Sequence, residues 1–251
     1  MTESWFQQAA RGAKERSEPK DPPRAVLDGA TLVTEGVAKD YGDGFGLSAL
    51  DLVVQPGELL MLVGPNGAGK STFLGLVSGM LEPTEGSVWV AGFPTGQLEA
   101  RAATSLLPDQ PVLYDDLTVN EHIEYIARLH QTTDWESYAD DLLEMFNLAD
   151  RADDLPSRFS RGLRQKTSLV CGLIRPFRLL LIDEPFAGLD RPAQETLVEV
   201  LGDLIDQEAT IVCSTHQLDL LAVATRCVGL RDGEKVFDGK PSAERVEELV
   251  T

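Results

Sequence analysis

Apolar positions along the chain follow two patterns, and their order predicts the architecture. From Thr31 to Val54, β-branched and apolar residues alternate with polar ones, interrupted by the turn-rich Tyr41-Gly42-Asp43-Gly44. Alternation with period two puts one strand face on a core, so this stretch reads as antiparallel strands. Leu59–Val63 and Leu179–Ile182 are instead short unbroken apolar runs, as expected of strands buried on both faces. The first leads through a glycine-rich turn, Gly64–Gly69, into a helix that starts near Lys70 and stops at Gly79. The second follows a helix from about Ser160 and precedes another with Leu197, Leu201 and Leu204 in phase. A strand at Thr210–Ser214 comes next, then a strand pair near Val228–Phe237. Val246, Leu249 and Val250 share one face of a short last helix.

The section after Gly79 reads as mostly helical. Thr118-Val119-Asn120-Glu121 forms a capping box, with Ile123 and Ile126 on one face behind it. Trp135, Tyr138, Leu142 and Phe146 recur at helical spacing and are assigned to the core, while His122 and His130 read as helix-surface residues. Strand–helix alternation implies a mainly parallel sheet flanked by helices. The expected fold class is therefore α/β, with an antiparallel β edge and a helical subdomain at about 110–172. Residues 1–24 are polar, proline-punctuated and expected to be a disordered leader to a single domain spanning 25–251.

Composition narrows the function classes. Hydrophobic residues at 43% and charged residues at 25% suit a folded chain, and no apolar run approaches the ~20 residues of a membrane span. Three scattered cysteines, Cys171, Cys213 and Cys227, indicate neither a disulfide framework nor a zinc site. The net charge of −19 repels phosphate backbones, so no nucleic-acid partner is expected. An anion bound here must be held by local geometry against the overall field.

Gly64-Pro65-Asn66-Gly67-Ala68-Gly69-Lys70-Ser71 supplies such geometry. It fits the phosphate-loop pattern, lying between a buried strand and a helix. Its amides and helix terminus would cradle phosphates, Lys70 would reach the β- and γ-phosphates, and the Ser71 hydroxyl would ligate Mg²⁺. Asp183 and Glu184, at the end of the second apolar run, complete the set. Asp183 is placed to hold the metal, and Glu184 to orient and deprotonate an attacking water.

With these motifs the sequence resembles the nucleotide-binding subunit of an ATP-binding cassette (ABC) transporter, from about Leu32 to Asp238. The resemblance implies a phosphate-loop ATPase that binds ATP with Mg²⁺. It extends ATP contact to Thr72 and to Tyr41, which lies 23 positions before Gly64 and would stack on adenine. Ala187-Gly188-Leu189-Asp190 resembles the D-loop, which contacts an opposite subunit, and His216 resembles the switch histidine near the γ-phosphate. The signature element departs from Leu-Ser-Gly-Gly-Gln: here Ser160, Arg161 and Gly162 are followed by Leu163. That variant is similar to the form in drug, antibiotic and ion exporters. The Q-loop departs too, with either Asp109 or Gln110 approaching the metal, and Asp115–Thr118 resembles the grip on a membrane partner. Two ATPase subunits, identical or homologous, would close head to tail. A separate membrane-spanning subunit would hold them on the inner face of the cell membrane, exporting an unidentified substrate. The alternative is a soluble ABC ATPase outside transport, for example of cluster-assembly type.

Overall fold

A computed structural model of the chain describes residues 22–42 and 46–250, so most of the expected leader, Asp43–Phe45 of the turn and Thr251 lie outside the described residues. The elements in order are α1 (Arg24–Leu27), β1 (Leu32–Asp40), β2 (Gly46–Val54), β3 (Leu59–Val63), α2 (Lys70–Val77), β4 (Glu85–Val90), β5 (Phe93–Pro94), α3 (Leu98–Ala102), β6 (Thr104–Leu107), α4 (Val119–Leu129), α5 (Trp135–Met145), α6 (Arg161–Leu173), β7 (Leu179–Asp183), α7 (Arg191–Asp206), β8 (Thr210–Ser214), β9 (Arg226–Arg231), β10 (Glu234–Gly239) and α8 (Ala243–Val250). Three short 3₁₀ turns join them.

The apolar runs decide the layering. Six strands form one sheet in the order β10-β9-β3-β8-β7-β6, parallel throughout except for β10. Because side chains alternate across a strand, one run feeds two cores. Leu59, Met61, Val63, Leu180 and Ile182 face a core closed by α4 to α8. Leu60, Leu62, Leu179 and Leu181 face α2 and a second, four-stranded antiparallel sheet of order β2-β1-β4-β5. Antiparallel pairing is thus found twice, in that separate sheet and where β10 closes the main one.

Three expectations change. Residues 85–107, read as part of a mostly helical section, contain β4, β5 and β6. These runs are too short and irregular to signal strands, and pairing with β1 and β7 makes them so. Tyr138 is 41% exposed, because successive 3.6-residue steps carry it to the rim of the face that buries Leu142 and Phe146. His122 is 3% exposed, not on the surface. Its Nε2 accepts from the Tyr114 amide at 2.8 Å and its Nδ1 lies 2.7 Å from the Thr118 carbonyl, so one ring satisfies two backbone groups.

What the parallel sheet positions is its C-terminal edge. β3 runs into the glycine-rich turn, β7 ends at Asp183, β8 ends at Ser214, and Asp183 pairs in register with Ser214. Residues far apart in sequence meet there, as ligand-binding residues do in α/β folds.

Candidate functional site

A cleft of about 420 Å³ opens at that edge, lined by Tyr41, Gly46, Asn66–Thr72, Asp109, Asp183 and Glu184. Gly69 is the N-cap of α2 and has φ 100°, a left-handed conformation that a side chain would strain. It therefore provides no side-chain cap, and the first amides of α2 have no intrahelical acceptor. The Lys70 ammonium turns back to the carbonyls of Gly64 (2.7 Å) and Pro65 (3.3 Å). Gly64 and Pro65 accordingly seat the lysine rather than line the cleft. Tyr41 is 51% exposed on the rim, with the Lys39 ammonium 5.5 Å from its ring centre.

Asp183 is buried and accepts a hydrogen bond from the Ser214 hydroxyl, which fixes one carboxylate oxygen. Glu184 leaves the strand at φ 46°, a strained backbone for a non-glycine residue, of the kind concentrated at functional sites. Its amide is held by the Ser214 carbonyl at 2.9 Å. Burial pushes the Glu184 carboxyl above its ordinary value, while His216 and Lys70 pull it part of the way back. His216 does not line the cleft; its Nδ1 lies 3.3 Å from Glu184 Oε2.

The other expected residues gather at the start of α6. Ser160 caps that helix through the Leu163 amide at 3.4 Å. Gly162 packs so closely that a Cβ there would stand 2.5 Å from the Gly188 carbonyl oxygen. Arg161 lies 3.5 Å from Asp109, and Asp190 caps α7 while pairing with the buried Lys166 ammonium at 3.2 Å. Burial alone would raise the Asp190 carboxyl; the Ala193 amide and Lys166 hold it below its ordinary value. None of Ser160, Arg161, Gly162 and Asp190 lines the cleft, and neither does Gln110, whereas Asp109 does.

A family profile described as ABC transporter matches residues 47–187, from β2 through the acidic pair. The chain belongs to the ABC transporter family. It is an ABC ATPase, the ATP-binding subunit of a transporter. Among relatives it is similar to the SkfA peptide export ATP-binding protein SkfE of Bacillus subtilis, at 33% identity over 82% of this chain and 88% of the other. It is similar also to the phosphonates import ATP-binding protein PhnC 2 of a Synechococcus strain, at 31% over 84% and 86%. A solved dimer of the ATP-binding cassette MJ0796 in a post-hydrolysis state, bound to ADP and Pi, superposes with TM-score 0.76 at 26% identity. It covers 83% of this chain and 98% of that one.

Four residues of this ABC ATPase escaped the sequence reading. Gly46 lines the cleft, Ser214 orients Asp183, Lys166 anchors Asp190, and Gln165 lies 3.4 Å from the Pro185 carbonyl. Ser214 alone had a signal: two parallel strands ending together put the end of Thr210–Ser214 beside Asp183.

Proposed function

We propose that two copies of this chain, or one copy and a homologous subunit, close head to tail around two ATP molecules and drive a separate membrane-spanning subunit, most consistently an exporter. The observation that carries the pairing is that Ser160, Arg161 and Gly162 do not line the cleft of their own chain. A signature element that stands outside its own chain's cleft is free to complete the cleft of a second subunit. The MJ0796 cassette is dimeric in its post-hydrolysis structure, which agrees.

Within each site Tyr41 stacks on the base, and the amides from Asn66 to Thr72, with Lys70, bind the phosphates. Lys70 exchanges its loop carbonyls for phosphate oxygens. The donors suit Mg²⁺ as well: Ser71, Asp183 and Asp109 line one cleft, and no cluster of three His, Cys, Asp or Glu forms a closed cage among the described residues. A cation that keeps water and takes phosphate oxygens fits such an open set. Bound there, Mg²⁺ would neutralise charge on the β- and γ-phosphates. Glu184 takes a proton from the attacking water, and His216 holds that carboxylate in place. Asp190, fixed by Lys166 and by its own cap, presents the D-loop to the opposite subunit.

Among the described residues no helix is long and apolar enough to cross a membrane. Relatives include both an export and an import protein. The Ser160-Arg161-Gly162-Leu163 variant supports export. Exposed Met80 and Val112 flank a second cleft beside Leu107 and Pro108, and that is the docking face we assign to the membrane subunit.

Glu184→Gln tests the pairing. With Mg·ATP it is expected to elute as a stable dimer in size exclusion, with turnover down by about 10²- to 10⁴-fold. A monomer at saturating ATP would refute the head-to-tail site.

A further inference from the structure

The two places where the motifs depart from the family pattern, the acid at Asp109 and the arginine at Arg161, meet in space. Arg161 opens α6 and reaches Asp109 Oδ1 at 3.5 Å. Its stem crosses Gly188, which has φ 82° and no side chain. A Cβ at Gly188 would stand 3.3 Å from Arg161 Cγ and 3.4 Å from its Cδ. A side chain there would crowd the stem and strain the backbone, so glycine keeps the path to Asp109 open.

The other partner is held by the same helix. Asp109 follows the end of β6 by two residues, and β6 is fastened to the C-terminal half of α6. Ser105 donates to the Gly172 carbonyl at 2.8 Å, and Gly172 packs so closely that a Cβ there would overlap the Leu107 side chain. One helix thus fixes the strand that leads to Asp109 and supplies the cation beside it.

The pair does little for folding, since its side chains are 66% and 42% exposed and water screens them. Its consequence lies in the cleft. Asp109, Asp183 and Glu184 line that cleft with a single ammonium, Lys70. Repulsion from the two other carboxylates, and better hydration outside, would drive an unpaired Asp109 away from the rim. With the pair formed, Asp109 lines the cleft while Arg161 stays out of it, so the paired position is the one that faces a ligand. A glutamine at 109 would forfeit the ion pair.

We infer that Arg161 is a positioning residue within its own chain, holding the Asp109 carboxylate in the cleft where ATP binds with Mg²⁺. The inference rests on the proposed Mg·ATP site and gives the signature arginine a task that needs no second subunit.

Calorimetry of the full-length chain, at concentrations where size exclusion shows a monomer, provides the test. Asp109→Asn and Arg161→Ala should each weaken Mg·ATP binding about tenfold, the low end for groups that hold or orient a metal ligand. Binding of ATP in EDTA should match wild type in both, whereas loss of a merely general positive charge would weaken both forms alike. Arg161→Lys should recover most of the loss, and the double variant should bind no more weakly than Asp109→Asn alone. Arg161 is exposed, so its variants should keep the wild-type melting temperature. If Asp109→Asn weakens Mg·ATP but Arg161→Ala binds as tightly as wild type or tighter, the inference falls and the metal-side role of Asp109 stands. Additive losses, or equal losses with and without Mg²⁺, would overturn it in the same way. Unchanged binding by Asp109→Asn would remove Asp109 from the metal site and overturn that role and this inference together.

Discussion

Helices α2 and α6 both begin at a glycine-containing turn, yet their N-termini are finished in opposite ways. At α2 the N-cap is Gly69, left-handed and without a side chain, so the first amides stay open to the cleft. At α6 the N-cap is Ser160, in an extended conformation, and its own hydroxyl accepts from the Leu163 amide. An open terminus is an anion site waiting for its ligand. A self-capped terminus is stable alone and gives up little until another molecule arrives. The difference matches the proposed division of labour, with α2 binding phosphates within the chain and α6 meeting them only across an interface. Their anchoring differs in the same sense. Lys70 rests on two loop carbonyls that a phosphate can replace, whereas α6 is fastened to the 185–190 segment through Gln165, Lys166 and the close approach of Gly162.

The largest contrast comes from removing the charge at α2. Lys70→Ala should weaken ATP binding by about 100-fold in calorimetry, because a charge-assisted phosphate contact is among the strong polar ones. Ser160→Ala, at the other helix, should leave monomer affinity within a few-fold of wild type. Equal losses in the two variants would erase the distinction.

Next in size is the response to pH. Burial raises Glu184 above its ordinary 4.5, and a base must be ionised to accept a proton. As pH falls through the raised value the carboxylate is protonated, so the acid limb of kcat should lie above pH 4.5 and fall about tenfold per unit below it. Binding through α2 should hold across the same range. A limb at or below 4.5 would remove Glu184 from the role of base.

Gly162→Ala probes the fastening of α6. A Cβ there would stand 2.5 Å from a backbone oxygen, and neither the helix nor the 185–190 segment has slack. The expected cost is about 1–3 kcal/mol in denaturant unfolding, with ATP-driven dimerisation reduced several-fold. An unchanged midpoint would show that the two segments separate readily.

The contrast between the helices also tracks what the sequence could reveal. The phosphate loop was legible because its geometry is local: a buried strand, glycines at fixed steps and a helix, all within Leu59–Val77. The runs Leu59–Val63 and Leu179–Ile182 were legible as parallel strands because burial on both faces leaves no polar position within them. The surroundings of α6 were not, since they depend on pairs distant in the chain, such as Arg161 with Asp109 and Lys166 with Asp190. Whether Asp109 or Gln110 enters the cleft turns on how the chain leaves β6, which neighbouring residue types leave open. His122 looked like a surface residue because its two bonds are to backbone groups, which have no letter in the sequence.

The smallest effect separates the two roles of Ser160. Ser160→Ala removes the cap and should cost about 1 kcal/mol of stability, whereas Ser160→Gly should cost only a few tenths, since glycine is tolerated at an N-cap. The glycine variant makes α6 resemble α2, with amides open and nothing in their way. If the hydroxyl matters only as a cap, dimerisation with ATP should follow stability, falling in the alanine variant and nearly intact in the glycine one. If the hydroxyl itself reaches the nucleotide of the opposite subunit, both variants should lose dimer to a similar degree despite their different midpoints. The proposed head-to-tail site requires the second outcome, read by size exclusion in the Glu184→Gln background beside urea unfolding of each single variant.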